Sequence, residues 1–261
     1  MSARSKGYVD AAYLDAAAKL MKTFKQLTYE RMRVQPGQRI LDLGCGPATD
    51  TIPLAHYVGV SGQIVGVDCD AEMIAEADQR ALKAGVSAWV THKRADAIAL
   101  PFDSNYFDAC RSERVFQHLH DPTKALSEIV RVTKPGGWIV VLDPDWGSLS
   151  MDASDVESER RLARVLAEHL ANNGYSGRRL YRLFKKQGLV EVSAQVCGIH
   201  FTDYAFARQM WLMDKVEHEA LALGVVTGQE LDQLHAYWEQ ANTEGVYFSG
   251  MHEILVWGRK P

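Results

Sequence analysis

The stretch ILDLGCGPATD, residues 40–50, decides the fold. An apolar run typical of a buried strand passes Asp42 and ends in a turn that carries Gly44 and Gly46, and a helical pattern follows. Such a turn lets the backbone approach a ligand at the carboxyl end of a parallel strand. The dinucleotide fingerprint would need a third glycine where Thr49 stands, and no Gly-Lys-Ser/Thr closes a phosphate loop. The turn therefore indicates a ligand without a pyrophosphate.

From residue 39 onward, short apolar runs alternate with helical patterns, and no hairpin dipeptides separate the strands. This alternation predicts right-handed βαβ units around a parallel sheet. We expect an α/β fold, Rossmann-like, with a seven-stranded, mostly parallel sheet, helices on both faces, N-terminal helices, and a helical insertion between the last two strands. The predicted parts of this single domain are an N-terminal helical cap (1–38), a cofactor-binding core (39–146) and a C-terminal part (147–261) with a helical lid at about 203–243.

Residues that commonly begin or end helices and turns locate individual elements of the predicted fold. Asp121 with Pro122 can begin one helix, Asp70 another, and the residues from Thr227 to Glu230 fit a capping box. A turn is predicted at residues 134–137. The other predicted elements are helices over residues 8–33, 49–58, 70–84, 122–132, 152–173, 178–187, 203–223 and 228–243, and late strands over 189–201 and 246–260.

Composition restricts the function. The 261 residues carry a net charge of −4, which disfavours nucleic acid as the main partner because no basic field is available for phosphates. The four cysteines lie apart, without the pairs of a zinc or redox site, and no apolar run is long enough for a membrane span. We therefore expect a cytoplasmic protein with a small-molecule partner and no metal. A homodimer is compatible with the sequence.

Acidic residues follow successive strands of the predicted sheet. Asp68, at the end of IVGVD, can accept hydrogen bonds from a ribose diol or cap the next helix, although Asp70 fits the capping role better. Asp96 can accept from an exocyclic amino group or close a turn. Asp42 can position an ammonium group or the glycine turn itself. A ligand made of adenosine and an amino acid tail uses all of these features, which indicates S-adenosylmethionine.

The ordered segments LDLGCGPATD, VGVDCDAEMIAEA, RADAIALPFDSNYFDAC and SERVFQHLHDPTKALSEIVRVTKPGGWIVVLDP resemble the class I S-adenosylmethionine-dependent methyltransferases, especially the ubiquinone and menaquinone biosynthesis group. The resemblance covers about residues 39–145 and implies a seventh strand that is antiparallel. It departs from the family at Ala48, where a third glycine is common. The resemblance implies cofactor contacts at the methionine side (Asp42, Gly44, Gly46), at the ribose (Asp68), beside the nucleoside (Cys69, Met73) and at the adenine (Asp96, Ala97), and we add Cys45 and Arg111.

Candidate acceptor residues follow the fourth and fifth strands, where the transferred methyl group would face. Glu113 and Gln117 are candidates for contact with the acceptor, and His118 is the candidate general base, although it can also serve only to hold the loop. Asp145 and Trp146 can contact the acceptor or simply build a turn. We expect His200 and His252 to be structural.

Aromatic and methionine side chains at helical spacing recur in the N-terminal region and in the insertion. Such stripes usually pack in a core, but here we expect the two elements to form a lid over an acceptor that is partly apolar or aromatic. These residues are Tyr8, Tyr13, Met21, Tyr204, Phe206, Met210, Trp211 and Met213.

The predicted function is methyl transfer from S-adenosylmethionine, with S-adenosylhomocysteine as product, to oxygen or carbon ahead of nitrogen. The alternative is a protein of the same fold that binds the cofactor without transferring methyl, as a pericyclic or decarboxylating catalyst or a regulatory binder. A nicotinamide-dependent oxidoreductase is disfavoured by Thr49 and by the lack of a second mononucleotide-binding half.

Overall fold

The computed structural model describes residues 11–261, whose centre is a seven-stranded sheet. The strand order is β3-β2-β1-β4-β5-β7-β6, and β7 runs antiparallel to both of its neighbours while the other pairs are parallel. The strands are β1 (Arg39–Leu43), β2 (Gln63–Asp68), β3 (Val90–Arg94), β4 (Phe107–Glu113), β5 (Thr133–Met151), β6 (Val190–Phe201) and β7 (Ser249–Arg259). The predicted Rossmann-like architecture is confirmed, including the antiparallel last strand.

The described residues contain ten α-helices, of which α8, α9 and α10 form the insertion between β6 and β7. They are α1 (Ala11–Leu20), α2 (Lys22–Met32), α3 (Thr51–Val58), α4 (Ala71–Lys83), α5 (Pro122–Val132), α6 (Val156–Val165), α7 (Ser176–Lys186), α8 (Tyr204–Met210), α9 (Met213–Ala222) and α10 (Gly228–Thr243). Asp70 and Asp121 accept hydrogen bonds from backbone N–H groups as N-caps, and the capping box at Thr227 and Glu230 has both of its bonds. Tyr8 lies outside the described residues.

Three details differ from the sequence-based expectation. The predicted turn at residues 134–137 is a bulge inside β5, because Thr133 already pairs with Phe107 and the register shifts before Trp138. The predicted helix 152–173 is α6 followed by one π-helical turn, Leu166–Leu170. The predicted helix 203–223 divides into α8 and α9 at Leu212, which has a left-handed backbone with a φ of 55°.

The N-terminal helices and the insertion meet on one side of the sheet. Tyr13 on α1 donates a hydrogen bond to the carbonyl oxygen of Met210, at the end of α8 (3.1 Å). Most of the aromatic and methionine side chains of these elements are buried in the core, whereas Phe206 is exposed. The core members are Met21, Tyr204, Met210, Trp211 and Met213. The stripes therefore pack as a core, and Tyr13 reaches a cavity.

Candidate active site

A large cavity lies at the carboxyl ends of β1, β2 and β4, where the strand order reverses. Its volume is about 720 Å³, within the range of small-molecule and cofactor sites. Strand-end residues form its floor, and side chains from α1 and α2, including Leu14 and Lys25, form part of its wall. Sheet topology therefore places one large site where the glycine turn lies.

The glycine turn forms one edge of this cavity. Gly44 has a φ of +77°, and a Cβ atom there would lie 2.0 Å from Val115 Cγ2, so only glycine fits this position. Gly46 has a φ of +49°, and its N–H donates to Asp68 Oδ2 at 3.0 Å. Both glycines and Cys45 line the cavity. The backbone of the turn can therefore lie directly against a ligand.

Asp68 stands between the turn and α4. Its Oδ1 accepts a hydrogen bond from the Asp70 N–H at 3.0 Å, while Asp70 itself caps α4 through Glu72 N–H. Burial raises the pKa of Asp68 above its ordinary value, and these backbone donors oppose the shift. Each carboxylate oxygen retains a second lone pair, and the side chain lines the cavity. Asp68 can therefore accept from a ligand diol without breaking the turn.

The next strand end contributes the far wall of the cavity. Asp96 is exposed, and its Oδ1 accepts from the Ile98 N–H at 3.1 Å, so this carboxylate closes a turn as well as lining the cavity. Met73 and Ala97 are buried apolar neighbours, and Cys69 is exposed. This wall combines one acid with apolar surface, a combination that suits an amino-substituted ring.

Asp42 and Arg111 do not lie on the cavity wall. They are register partners on β1 and β4, each 1% exposed, and Arg111 Nη1 donates to Asp42 Oδ1 at 2.9 Å. Burial raises the pKa of Asp42 to about 7, although the Arg111 charge opposes this shift. Both residues were expected at the cofactor; in the structure they lie behind the wall because alternation along the strands directs them into the protein.

A buried charged cluster connects Arg111 to the cavity. The Arg111 guanidinium lies 3.0 Å from Asp50 Oδ1 and 2.6 Å from Glu113 Oε2. Lys25 on α2 donates to Asp50 Oδ2 and to Glu113 Oε1, both at 2.6 Å, and Tyr29 donates its hydroxyl to Asp50 Oδ1 at 2.6 Å. Lys25, Asp50 and Glu113 line the cavity. The cluster thus presents charged groups of both signs to the cavity.

Sequence reasoning missed Lys25 and Asp50. Asp50 ends the glycine stretch and lies one residue before α3, within the helix predicted over residues 49–58. Lys25 follows Met21 by four residues, on the buried face of the N-terminal helices. A charged residue at an apolar helical position was the available signal, because such a group needs a partner.

A second, smaller cavity of about 60 Å³ adjoins the first. Leu14, Arg114 and His118 line both cavities, so the two share a wall. Apart from Gln117, the rest of the small cavity is apolar or aromatic. Its further lining residues are Tyr13, Trp146, Leu166, Leu170, Ala171 and Leu212.

The predicted acceptor residues divide between the two cavities and the protein interior. Glu113 lines the large cavity, His118 lines both, and Gln117 and Trp146 line the small one. Gln117 accepts from Trp146 Nε1 at 2.7 Å and donates to the Arg114 carbonyl at 3.0 Å, which fixes both side chains. Asp145 lines neither cavity, because both of its oxygens accept from Arg178 Nε.

His200 and His252 lie on β6 and β7, are exposed and line neither cavity. No group of three His, Cys, Asp or Glu side chains among residues 11–261 is placed to hold a metal ion. In the same described range, no helix is both long and apolar enough to cross a membrane.

Comparisons with known proteins agree with this geometry. A family model described as a methyltransferase domain matches residues 41–141. The chain is 33% identical over 217 residues to an uncharacterised 37.1 kDa protein in transposon TN4556 of Streptomyces fradiae, covering 82% of this chain and 62% of that protein. It is 32% identical over 189 residues to the ubiquinone/menaquinone biosynthesis C-methyltransferase UbiE of Enterobacter sp. (strain 638), covering 70% of this chain and 74% of the relative. The chain thus spans less than two thirds of the transposon protein.

Solved structures share the whole fold. The YcgJ protein from Bacillus subtilis has a TM-score of 0.63 at 20% identity, covering 92% of this chain and 98% of that one. Geranyl diphosphate C-methyltransferase from Streptomyces coelicolor A3(2) has a TM-score of 0.60 at 15% identity, covering 98% of this chain and 90% of that one.

The fold, the strand-end site and the relatives together define a class I methyltransferase. The chain belongs to the class I S-adenosylmethionine-dependent methyltransferases. S-adenosylmethionine is the cofactor that this class uses.

Proposed function

We propose that the 720 Å³ cavity holds S-adenosylmethionine with its ribose at Asp68 and its adenine at Asp96. The glycine turn carries this assignment. The Gly46 N–H of the turn donates to Asp68, and each oxygen of this carboxylate, which lines the cavity, retains a lone pair for a ligand. Met73 and Ala97 offer apolar surface to the ring, and Asp96 can accept from its amino group. When bound, the cofactor supplies an electrophilic methyl group.

At the other end of the cavity, Lys25 and the carboxylates of Asp50 and Glu113 would meet the amino acid tail. The Lys25 ammonium can bind the tail carboxylate, and Glu113 can accept from the tail ammonium. Arg111 would act one layer behind, where it holds Glu113 and Asp50 in place and is itself paired with Asp42. Charged groups of both signs suit a zwitterion.

We further propose that the acceptor is a small, partly apolar or aromatic molecule, methylated on oxygen or carbon, that enters through the small cavity. This cavity adjoins the large one at His118, and Trp146 and Leu170 give it an apolar lining. In-line transfer needs the nucleophile, the methyl carbon and the sulfur aligned within about 3–3.5 Å and shielded from water. His118, which lines both cavities, would take the proton of a hydroxyl or an acidic carbon.

The names of two similar proteins support a carbon acceptor. The UbiE relative and the Streptomyces coelicolor neighbour are both C-methyltransferases by name. Their acceptors belong to those proteins, and here they favour only the class of reaction.

Helix α1, whose Leu14 lines both cavities, would act as the lid, and the insertion would close only the small cavity, through Leu212. Asp15 on α1 accepts two hydrogen bonds from Arg80 on α4, at 2.7 and 3.0 Å, while Tyr13 bonds to the Met210 carbonyl on the other side. These contacts hold α1 across the mouth between the core and the insertion. Release of either end would open a path for ligands.

Calorimetric titration with S-adenosylmethionine and S-adenosylhomocysteine tests the cofactor site. We expect one-to-one binding of both, and a loss of about ten- to a hundred-fold in affinity for Asp68→Ala. Asp78→Ala is the matched control, because Asp78 is an exposed acid of α4 that pairs with His92 away from the cavity. A folded wild-type protein that bound neither ligand would remove the assignment.

Turnover with methyl-labelled cofactor tests the reaction. A panel of small phenols, enols and acids should yield a labelled product, and His118→Gln should lower kcat by about a hundred-fold or more if His118 is the base. Binding of the cofactor without transfer to any member of the panel would favour the alternative of a non-transferring protein.

A further inference from the structure

Arg114 occupies the wall that separates the two cavities. It follows the last residue of β4, has a left-handed backbone with a φ of 56°, and its N–H donates to the Leu142 carbonyl at 2.8 Å. Its own carbonyl accepts from Gln117. Left-handed backbone is costly for a residue with a side chain and is concentrated at functional sites, where the surrounding structure enforces it. The fold therefore holds this arginine at the junction of the cofactor and acceptor sites.

The ionic partner of Arg114 is an unusual one. Arg114 Nη1 donates to Glu253 Oε1 at 2.7 Å, and Glu253 is fully buried in β7. The second oxygen of Glu253 has no hydrogen-bond partner among residues 11–261. Burial raises the pKa of Glu253 to about 8, a shift that the Arg114 charge only partly opposes. Among the described residues Glu253 is the one carboxyl group within ion-pair distance of Arg114; burial favours its neutral form, while Glu113 and Asp143 act on the Arg114 charge from farther away.

Arg114 differs in this respect from the other arginine of the site. Arg111 contacts three carboxylates, and its side chain is 1% exposed, so its charge is satisfied inside the protein. The Arg114 side chain retains 18% exposure at the cavity wall, and its guanidinium lies 5.5 Å from the centre of the Trp146 ring. A guanidinium carries five N–H donors in a planar fork that matches an oxyanion.

A purely structural ion pair would explain these contacts less well. Buried ion pairs contribute little to stability compared with apolar residues of similar volume, because desolvation offsets their attraction. The pair is also arranged unequally, since the acid lies in the core while the cation reaches two cavities. Such an arrangement orients a cation toward a ligand.

We propose that Arg114 binds an anionic oxygen of the acceptor, so that this enzyme selects small apolar or aromatic acids, whose carboxylate or ionised hydroxyl lies beside Trp146. This inference rests on the proposed function, because it places the acceptor in the small cavity. Glu253 is the positioning residue, whose carboxyl group holds the guanidinium at the wall of both cavities. His118, on the same wall, would then face the reacting atom of an acceptor already fixed by its oxyanion.

Matched ligands can test this selection without knowledge of the natural acceptor. The protein, saturated with S-adenosylhomocysteine, is titrated with benzoate and with its neutral isostere benzamide. We expect benzoate to bind saturably and at least ten-fold more tightly than benzamide. Arg114→Gln should weaken benzoate binding about ten- to a hundred-fold and leave benzamide binding unchanged, and Arg114→Lys should restore part of the benzoate affinity.

Arg161→Gln is the control variant. Arg161 also pairs with a glutamate, Glu230 of α10, but lines neither cavity, so benzoate binding should not change. The inference is overturned if wild type binds benzoate no better than benzamide, or if Arg114→Gln weakens both ligands alike. Failure of S-adenosylhomocysteine to bind to wild type would instead point to the cofactor assignment, which separates the two hypotheses.

Discussion

The two sides of the active-site cavity are built differently. On the cofactor side, polar groups find partners in the parallel core and α2: Asp68 in the turn and before α4, Arg111 in its register partner Asp42, and Asp50 and Glu113 in Lys25. On the acceptor side, Arg114 depends on Glu253, 139 residues along the chain. The cofactor side therefore requires the parallel core and α2, whereas the acceptor side also requires the last strand. Variation in acceptor can be accommodated without disturbing the cofactor site.

The largest expected effect comes from the charged cluster on the cofactor side. Lys25→Met removes one of the two buried cations, Lys25 and Arg111, that contact Asp50 and Glu113, and we expect a loss of about 3–5 kcal/mol in the free energy of unfolding, measured with urea. Lys134→Met is the control, because Lys134 forms a more exposed pair with Asp108 and should cost about 1 kcal/mol or less. Equal losses would show that the cofactor side is not a coupled network.

The glycine turn tests the same side by steric means. Gly44→Ala places a Cβ atom 2.0 Å from Val115 in a left-handed backbone, so we expect a loss of about 3 kcal/mol and loss of S-adenosylhomocysteine binding. Gly46→Ala meets only Leu14, at an ordinary 3.5 Å, so its left-handed backbone alone should cost about 1 kcal/mol. If the two variants were equally stable, the close approach of Val115 would not constrain the turn.

The difference between the two sides also explains what could be predicted from the sequence. The strand-end positions of Gly44, Asp68 and Asp96 depend on short apolar runs and the parallel order of the sheet, both of which are local signals. Arg111 was expected at the cofactor because it lies near the end of a predicted strand. The sequence did not show on which face of the sheet its side chain lies, and in the structure this side chain is buried. One residue along a strand reverses the face.

The acceptor side offered weaker signals. Glu253 lies between Met251 and Leu255, two apolar residues that share its buried face in β7, so period-two alternation marked it as a buried acid. Its partner Arg114, however, lies on another strand end, and no local pattern pairs them. The aromatic residues of the insertion were equally ambiguous, since helical spacing alone does not separate a lid from a core. Long-range partners needed the structure.

Glu253 should make the stability of the acceptor side depend on pH. The pKa of Glu253 is raised from 4.5 to about 8, so between these pH values the folded protein holds a proton that the unfolded chain has released. Wild-type stability therefore falls as pH rises through this window, by up to about 1.4 kcal/mol per pH unit from this group. Glu253→Gln cannot release a proton. Its free energy of unfolding relative to wild type should therefore increase between pH 5 and 8 in urea titrations.

Glu230→Gln is the opposite control. Arg161 lowers the pKa of Glu230 to about 2, so the stability this pair contributes is present above pH 4.5 and is lost only as pH falls toward 2. The difference between Glu230→Gln and wild type should therefore be constant from pH 5 to 8. A constant difference for Glu253→Gln as well would mean that Glu253 is charged in the folded protein and that Arg114 is already neutralised.

The smallest expected effect returns to the cofactor side, at the one position where the sequence departs from its family. Ala48 is buried and has a φ of +68°, a left-handed backbone that favours glycine. Ala48→Gly should therefore raise the free energy of unfolding by about 1 kcal/mol, because relief of strain exceeds the added freedom of the unfolded chain. Affinity for S-adenosylhomocysteine should stay within two-fold, since Ala48 is not among the residues that line the cavity. A tighter complex in the variant would instead mean that the Ala48 methyl group limits how closely the turn approaches the cofactor, so that the cofactor side is less fully preformed than its hydrogen bonds indicate.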